Sequence, residues 1–350
     1  MRIKRSFDAI EVHAGLPMRV VTSGIPTIPG KSVYEQALWL EKNDDQLRKL
    51  MLREPRGYPP ICCNLIVPAK HPDAAAGYII MEQLEYPMMS GGNTISVATA
   101  LLETGMIPMQ EPVTKFALEA PAGVIPITAD CKDGKVTQVY FDNVASYAVH
   151  IDAEIDVPTL GKVKVDVAWG GMYYCIINSR QFDWLELVPD QGKEITRISA
   201  LCTQAAKEQL EVPEHPDYPG IGITISIMHG PTDNPDADST IVNTMYTGEI
   251  DFNDESTWTG ALDRCACGTG TSALIAVKYA KGELKVGDRW RNEGLIGIIF
   301  EGNISGTSKV GERDAIRIKV GGQAWIYGFT KYILDETDPF TEGYTEGDLW

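Results

Sequence analysis

The stretch C-G-T-G-T at 267–271 runs into a helix-like segment that ends at Gly282, and the stretch S-G-G-N-T at 90–94 runs into a second one that ends at Gly105. In each case a glycine-rich turn leads into the start of a helix. Such turns bind anions, because the first backbone N–H groups of a helix have no partner within it and lie at the positive end of its dipole. The repetition predicts two similar half-molecules that hold one small anion between them.

The elements around these turns also repeat. A β-rich start, a capping box at 32–35 with a helix to about Leu52, further strands and a hairpin at 133–134 surround the first turn and its helix, 93–104. From about residue 160 the order begins again, with strands, a long helix over 193–210, more strands and the second turn with its helix, 269–281. This pattern indicates an internal duplication.

The duplication predicts two domains, 1–160 and 161–329, with the C-terminal tail 330–350 as a candidate addition to the first. The segment 251–259 is acidic and interrupts the pattern, so we expect a mobile insertion there.

Composition excludes several classes of protein. With 350 residues, of which 44% are hydrophobic, the chain is long enough for two cores, and its net charge of -17 argues against nucleic acid or an anionic membrane as a partner. There is no run of 18 apolar residues and no apolar region after the basic start, so neither a membrane span nor a signal peptide is predicted. The odd number of cysteines, seven, favours a reducing cytoplasm.

No cofactor is predicted either. The G-T-G at 268–270 lacks the third glycine and the downstream acidic residue of a dinucleotide-binding fingerprint. The C-x-C at 265–267 has no second cluster at the spacing of metal ligands, so no metal is predicted, although a thiol redox or metal protein built on this pair is one alternative.

Three side chains near the turns could carry chemistry. Cys267 lies where a helix begins, and there the positive end of the dipole lowers the pKa of a thiol and favours a thiolate that acts as base or nucleophile. Ser90 has the matching position, where a serine is an ordinary N-cap and a weak acid–base group at neutral pH. Asp263, four residues before Cys267, either caps the same turn or binds a substrate ammonium.

The chain resembles the proline racemase family over nearly its whole length. The stretch D-R-C-A-C-G-T-G-T-S-A at 263–273 is similar to the family's D-R-S-P-C-G-T-G-T-S-A, and M-S-G-G-N-T at 89–94 lies where the family has M-C-G-H-x-T. The stretch H-A-G-L-P-M-R-V-V at 13–21 and the A-W-G-G at 168–171 resemble two further family motifs.

This resemblance implies a mixed α/β (α+β) fold like that of diaminopimelate epimerase. Such a fold has two pseudo-symmetric domains, each a curled, mostly antiparallel sheet around a central helix, with the active site in the cleft between them. The resemblance also implies a homodimer and a small imino acid as the substrate.

The residues in the matching motifs imply a departure from proline racemase itself. Family racemases place one cysteine on each face of the substrate α-carbon, so that one takes a proton and the other returns one. Here Ser90 replaces the first cysteine and Gly92 replaces the neighbouring histidine. Family members with this Ser/Cys pairing are associated with trans-3-hydroxy-L-proline dehydration, with 4-hydroxyproline 2-epimerisation, or with both.

The pairing favours dehydration on chemical grounds, since dehydration needs one base and no proton on the opposite face. We therefore predict a dehydratase, a hydro-lyase that converts trans-3-hydroxy-L-proline to Δ1-pyrroline-2-carboxylate. A 4-hydroxyproline 2-epimerase with proline racemase-like activity is the alternative, and a non-catalytic imino-acid-binding protein is a further one.

In this hypothesis Cys267 is the base, Ser90 is the group on the opposite face and Asp263 binds the imino nitrogen. The substrate carboxylate accepts hydrogen bonds from first-turn backbone N–H groups, those of Gly91, Gly92, Asn93, Gly268, Thr269 and Gly270.

Overall fold

The computed structural model describes residues 3–83, 85–246 and 248–346, so the first two residues of the predicted first domain and the last four of the predicted tail lie outside the described residues. The chain divides into two compact units. The first runs to Phe141 and resumes at Gly322, and the second is Asp142–Gly321. The domain boundary expected at 160/161 falls in the turn between two strands that pair with each other.

The first unit contains most of the N-terminal elements and one strand from the C-terminal part. Its elements are β1 (Ile3–Ala14), β2 (Leu16–Val21), α1 (Val33–Asn43), α2 (Gln46–Leu52), β3 (Cys62–Val67), β4 (Ala76–Met81), α3 (Gly91–Glu103), β5 (Val113–Ala120), β6 (Gly123–Lys132), β7 (Lys135–Asp142) and β17 (Trp325–Asp335).

The second unit contains the elements between β7 and β17. They are β8 (Tyr147–Val157), β9 (Gly161–Trp169), β10 (Tyr173–Asn178), α4 (Gly192–Gln209), β11 (Ile223–Gly230), β12 (Ser239–Met245), β13 (Ala261–Leu262), α5 (Gly268–Ala280), β14 (Arg289–Glu293), β15 (Ile299–Val310) and β16 (Arg313–Gly322).

The strands of the two units pair in the same succession. The order is β17-β1-β2-β3-β4-β5-β6-β7 in the first unit and β8-β9-β10-β11-β12-β14-β15-β16 in the second. In both, the third and fifth pairings are parallel and the other pairings are antiparallel. The C-terminal strand β17 therefore has the place in its sheet that β8 has in the other, and the duplication extends to strand topology.

Each unit encloses one helix. Helix α3 packs against β1, β2, β3 and β17, and helix α5 packs against β8, β9, β10 and β15. Both helices are buried on all sides over most of their length, which is the pattern of a helix inside a core rather than on a surface. The predicted fold class is thus confirmed, since each unit is a curled, mostly antiparallel sheet around a central helix.

The ends of the central helices follow the sequence closely. Gly105 and Gly282, which end the two segments, have φ angles of 74° and 73°, in the left-handed region that glycine adopts at helix C-termini. The predicted hairpin is also confirmed, because Asp133 and Gly134 connect β6 to β7 with positive φ angles of 55° and 73°.

The capping box at the start of α1 is confirmed in a slightly displaced form. The Glu35 backbone N–H donates to Ser32 Oγ at 3.1 Å, and the Glu35 carboxylate accepts from the Lys31 backbone N–H at 2.8 Å. The carboxylate thus reaches one residue further back than in the usual motif, and it still stabilises the entry into the helix.

One predicted helix is two helices, because α1 ends at Asn43 and α2 begins at Gln46. Three successive short polar residues, the last of α1 and the two of the break, have side chains that compete with the backbone for hydrogen bonds. The Asn43 side chain donates to the Trp39 carbonyl at 2.9 Å, and the Asp45 carboxylate binds Arg48 at 2.7 Å. The expectation of one helix to Leu52 was therefore wrong.

The segment 251–259, expected to be a mobile insertion, is anchored to the second unit. Trp258 is buried with the apolar core of the second unit, and its indole N–H donates to the Asp251 carbonyl at 2.8 Å. The Asp251 backbone N–H donates to Thr257 Oγ1 at 2.9 Å. The acidic side chains lie outside while one aromatic side chain anchors the segment, which composition alone does not reveal.

Of the helices in the described residues, none combines the length and the apolar character needed to cross a membrane.

The A-W-G-G turn after β9 packs directly on α5, and this contact requires a glycine. A Cβ atom on Gly170 would lie 2.2 Å from the Thr269 carbonyl oxygen and 2.7 Å from the Ala273 nitrogen. The Asn143 side chain closes the contact by donating to the Gly170 carbonyl and to Ser272 Oγ, both at 2.8 Å. The first turn of α5 is thereby held in place on one side.

We predict that Gly170→Ala lowers the free energy of unfolding by about 2–3 kcal/mol, because the backbone must shift to relieve the overlap. Urea unfolding measures the change. Gly222→Ala is the matched control in the same unit, since a Cβ there meets nothing within 4 Å among the described residues. A Gly170→Ala protein as stable as this control would contradict the proposed contact.

Candidate active site

Cys267 is the N-cap residue of α5 and has an unusual backbone conformation. Its φ angle is 45° and its ψ angle is 110°, values that a non-glycine residue rarely adopts. The conformation is stabilised by the Gly270 backbone N–H, which donates to Cys267 Sγ at 3.3 Å. Strained residues of this kind cluster at functional sites, so the geometry itself singles out this cysteine.

Two hydroxyl groups accompany the sulfur. Tyr174 Oη lies 3.5 Å from Cys267 Sγ and 2.7 Å from Thr269 Oγ1, which is itself 3.7 Å from the sulfur. Tyr174 is buried, and burial together with the neighbouring cysteine raises the pKa of its hydroxyl well above the usual value. The tyrosine therefore keeps its proton and can donate it in a hydrogen bond to the sulfur.

Asp263 also interacts with Cys267 and is buried. Its carboxylate accepts from the Asn243 side chain at 2.9 Å, and its backbone N–H donates to the Asn243 carbonyl, also at 2.9 Å. Burial raises the pKa of the Asp263 carboxyl, while hydrogen bonds from Asn243 and Cys267 oppose that rise. A buried carboxylate with one amide partner retains the capacity to bind a cation.

The charge state of Cys267 differs from the sequence-based expectation. Burial raises the pKa of the Cys267 thiol to about 12, and the Asp263 carboxylate adds to the rise. Hydrogen bonds from Tyr174, Gly270 and Thr269 lower it. The expectation of a thiolate favoured by the helix dipole is not met, because burial of the sulfur disfavours the charged form. The thiol is protonated at neutral pH.

Ser90 is the N-cap residue of α3, and it has an ordinary extended conformation with a φ angle of −148°. Its hydroxyl accepts from the Asn93 side chain at 2.9 Å rather than from a first-turn backbone N–H. Its carbonyl accepts from the Thr94 backbone N–H at 2.9 Å and from Thr94 Oγ1 at 2.8 Å. Tyr78 contacts the same Thr94 hydroxyl at 2.6 Å. The serine is thus fixed on both sides by α3.

Asn93 connects Ser90 to two further polar side chains. Asn93 Nδ2 donates to Ser90 Oγ and also to Glu82 Oε1, the latter at 3.3 Å. Asn93 Oδ1 accepts from Asn64 Nδ2 at 2.7 Å. Both Asn93 and Asn64 are buried, so an amide network lies directly behind the serine hydroxyl.

The structure brings the predicted site residues into two groups, one in each unit. Cys267 and Asp263 lie together at the start of α5, and Ser90 lies at the start of α3. The predicted backbone donors belong to the same two first turns, and they are Gly91, Gly92, Asn93, Gly268, Thr269 and Gly270. Gly270 differs from the expectation, because its N–H donates to the cysteine sulfur. It stabilises the thiolate form of Cys267.

Sequence reasoning missed four residues of these groups. Tyr174 and Asn243 contact the Cys267 group, and Asn64 and Glu82 contact the Ser90 group. A usable signal was present for Asn64, which is the polar residue in an otherwise apolar buried strand. Asn243 gave no such signal, because its strand also contains a serine and two threonines. Tyr174 gave no such signal, because a tyrosine in a buried strand is ordinary.

Known proteins resemble this chain over its whole length. A family model described as proline racemase matches residues 9–345. The 4-hydroxyproline 2-epimerase of Rhizobium etli is 36% identical to this chain, over 100% of this chain and 98% of that protein. The crystal structure of a hydroxyproline epimerase from Agrobacterium vitis, with bound trans-4-hydroxy-L-proline, superposes with a TM-score of 0.86 and 34% identity over 100% and 98% of the two chains.

A more distant likeness concerns the fold alone. A phenazine biosynthesis protein of the PhzF family from Bacillus anthracis superposes with a TM-score of 0.57 at 11% identity, over 94% of this chain and 99% of that one. Its fold is of the diaminopimelate epimerase type, as is the fold of this chain.

We predict opposite changes in Cys267 reactivity when its two neighbours are altered. Asp263→Asn removes the carboxylate that raises the thiol pKa, so alkylation of Cys267 by iodoacetamide at pH 9 becomes faster. Tyr174→Phe removes a hydrogen-bond donor that lowers the pKa of the Cys267 thiol, so alkylation becomes slower. Each unit of pKa changes the thiolate fraction about tenfold in this range.

Mass spectrometry of the alkylated peptide measures these rates. Tyr173→Phe is the control, because Tyr173 Oη donates to the Pro213 carbonyl at 2.8 Å and belongs to a separate hydrogen-bond network. Changes of the same sign in the Asp263 and Tyr174 variants would contradict the assignment of their roles.

Proposed function

The chain belongs to the proline racemase family, and on this basis we propose that it is a 4-hydroxyproline 2-epimerase. The observation that carries the proposal is the full-length similarity to a 4-hydroxyproline 2-epimerase and to a hydroxyproline epimerase whose structure holds trans-4-hydroxy-L-proline. The substrate would be a small imino acid. The homodimer implied by the family resemblance stays a prediction.

The dehydratase predicted from the sequence is now the second candidate. Its support is chemical, since Ser90 replaces a cysteine and dehydration needs no proton from the opposite face. The relatives support the alternative instead, because both are epimerases of hydroxyproline. The two activities share the first step, removal of the α-proton, and differ in what happens to the carbanion.

We propose that Cys267 removes the α-proton after substrate binding has activated it. The buried Asp263 carboxylate raises the thiol pKa in the free protein, and a substrate ammonium bound at Asp263 would cancel much of that effect. The donors Tyr174 and Gly270 would then stabilise the thiolate. This order of events explains how a thiol that is protonated in the free protein can act as a catalytic base once the substrate is bound.

Epimerisation also needs a proton on the other face of the α-carbon, and we propose that Ser90 supplies it. The Cα–H bond breaks with its proton on Cys267, the electron pair stays on the α-carbon, and the Ser90 O–H proton forms the new Cα–H bond. Proton exchange with solvent then restores both groups. The remaining first-turn N–H groups, those of Gly91, Gly92, Asn93, Gly268 and Thr269, would bind the carboxylate and stabilise the carbanion.

The first experiment is a substrate screen in D2O with proline and the isomers of 3- and 4-hydroxyproline. We expect cis-4-hydroxy-D-proline to form from trans-4-hydroxy-L-proline with deuterium at Cα, as measured by chiral chromatography and NMR. Pyrroline formation from trans-3-hydroxy-L-proline, detected with o-aminobenzaldehyde, without any epimerisation would overturn the proposal in favour of the dehydratase. Tight hydroxyproline binding without Cα exchange would indicate a binding protein instead.

We predict that Cys267→Ser lowers kcat by about 10²–10⁴-fold with either 4-hydroxyproline isomer, the usual contribution of a positioned acid or base. The fold should persist, since the substitution changes one atom; circular dichroism and thermal unfolding check this. Activity close to that of the unaltered protein would remove Cys267 from the mechanism.

We predict that Ser90→Cys raises the ratio of epimerisation to dehydration, because a thiol donates a proton to a carbanion more readily than an alcohol does. The ratio is measured with trans-4-hydroxy-L-proline and trans-3-hydroxy-L-proline in parallel. An unchanged ratio would mean that Ser90 does not determine the outcome of the reaction.

A further inference from the structure

The side chain of Asn93 has a single orientation that satisfies its neighbours. Its Oδ1 accepts from Asn64 Nδ2 at 2.7 Å, and its Nδ2 donates to Ser90 Oγ at 2.9 Å and to Glu82 Oε1 at 3.3 Å. Rotation of the amide by 180° would set its oxygen against the Glu82 carboxylate and its nitrogen against the Asn64 donor. The amide therefore presents an N–H group to the serine.

We propose that Asn93 is the positioning residue that makes Ser90 a proton donor, an inference that rests on the proposed function. The Asn93 N–H occupies a lone pair of Ser90 Oγ, so the serine O–H is directed away from Asn93. When the serine gives up its proton, the same N–H donates to an alkoxide, and a hydrogen bond to a charged acceptor is about twice as strong as one to a neutral acceptor. Asn93 thus favours the deprotonated form of Ser90.

The third residue of the central helix in the other unit also donates a hydrogen bond to its N-cap side chain, but from the backbone. Gly270 is the third residue of α5, and its backbone N–H donates to Cys267 Sγ at 3.3 Å. Asn93 is the third residue of α3, and its side chain donates to Ser90 Oγ. In both helices the third residue therefore supplies the donor that stabilises the anionic form of the N-cap residue.

Three other side chains around Ser90 and Asn93 influence how well a negative charge on Ser90 is stabilised. Glu82 faces Asn93 and, when ionised, opposes negative charge on Ser90. Tyr78 contacts the Thr94 hydroxyl at 2.6 Å, and burial raises the pKa of this tyrosine above its usual range. Asn64 holds the amide from behind and also donates to the Arg19 carbonyl at 3.4 Å. Asn93 is therefore the donor that separates the serine from the Glu82 charge.

A kinetic experiment separates positioning from a structural role. Asn93→Ala and the isosteric Asn93→Asp are compared in D2O with the 4-hydroxyproline isomer whose α-proton Cys267 removes. We expect inversion at Cα to fall about 10–100-fold, while deuterium exchange without inversion, which needs only Cys267, falls less than about threefold. Equal loss of both rates, or no loss of inversion, would overturn the proposal.

Ser96→Ala is the matched control on the same helix. Ser96 is buried like Asn93, and its hydroxyl has no hydrogen-bond partner among the described residues. This variant should leave the rates of inversion and of deuterium exchange unchanged. Such a result would show that a small cavity in α3 does not by itself slow inversion. A loss of inversion in Ser96→Ala as large as in Asn93→Ala would contradict the proposal.

A second experiment does not depend on the proposed function. In a Ser90→Cys, Cys267→Ser protein, the new thiol at 90 reports the local donor through the pH dependence of its alkylation by iodoacetamide. We expect Asn93→Ala to raise the alkylation midpoint by about one pH unit, and Asn93→Asp to raise it at least as far because it adds a carboxylate. Ser96→Ala should leave the midpoint in place.

The two experiments distinguish the two possible failures. A protein that does not epimerise 4-hydroxyproline at all would overturn the proposed function, while the alkylation midpoint would still test Asn93. An unshifted midpoint in both Asn93 variants would overturn the role of Asn93, whatever the substrate.

Discussion

The hydrogen bond between the third residue of each central helix and the side chain of its N-cap residue connects the fold to the chemistry. In one unit Gly270 donates to Cys267, and in the other Asn93 donates to Ser90. Each bond forms at the start of a helix that is enclosed by a curled sheet, where packing buries Cys267 and half-buries Ser90. Loss of the packing under either first turn would leave the donor and the acceptor free to hydrogen-bond with solvent instead.

Burial has two opposing effects on Cys267. At Cys267 it raises the thiol pKa to about 12, aided by the Asp263 carboxylate, and so suppresses the base in the absence of substrate. The same burial makes the hydrogen bonds from Tyr174 and Gly270 stronger than they would be in water. A substrate that brings a positive charge to Asp263 and excludes water thus changes the balance in favour of the thiolate. In the proposed mechanism, reactivity is coupled to binding through this electrostatic balance.

Much of the fold was predictable because it depends on local patterns. The glycines at 105 and 282 end their helices in the left-handed conformation that only glycine adopts readily, and the turn at 133–134 forms the hairpin expected of Asp-Gly. The break between α1 and α2 and the burial of Trp258 were not predictable in the same way. Both depend on which of several local hydrogen bonds or apolar contacts tertiary packing favours.

The sequence by itself determined the duplication, the two glycine-rich helix starts and the family, and it predicted Cys267, Ser90 and Asp263 as site residues, because each of these depends on residue type and spacing. Only the tertiary structure decided the protonation of Cys267 and the partners Tyr174, Asn243, Asn64 and Glu82. A pKa depends on the solvent and charges around a group, and those come from strands distant in the chain. The pairing of β17 into the first unit has the same origin, since a sheet joins residues that no local pattern connects.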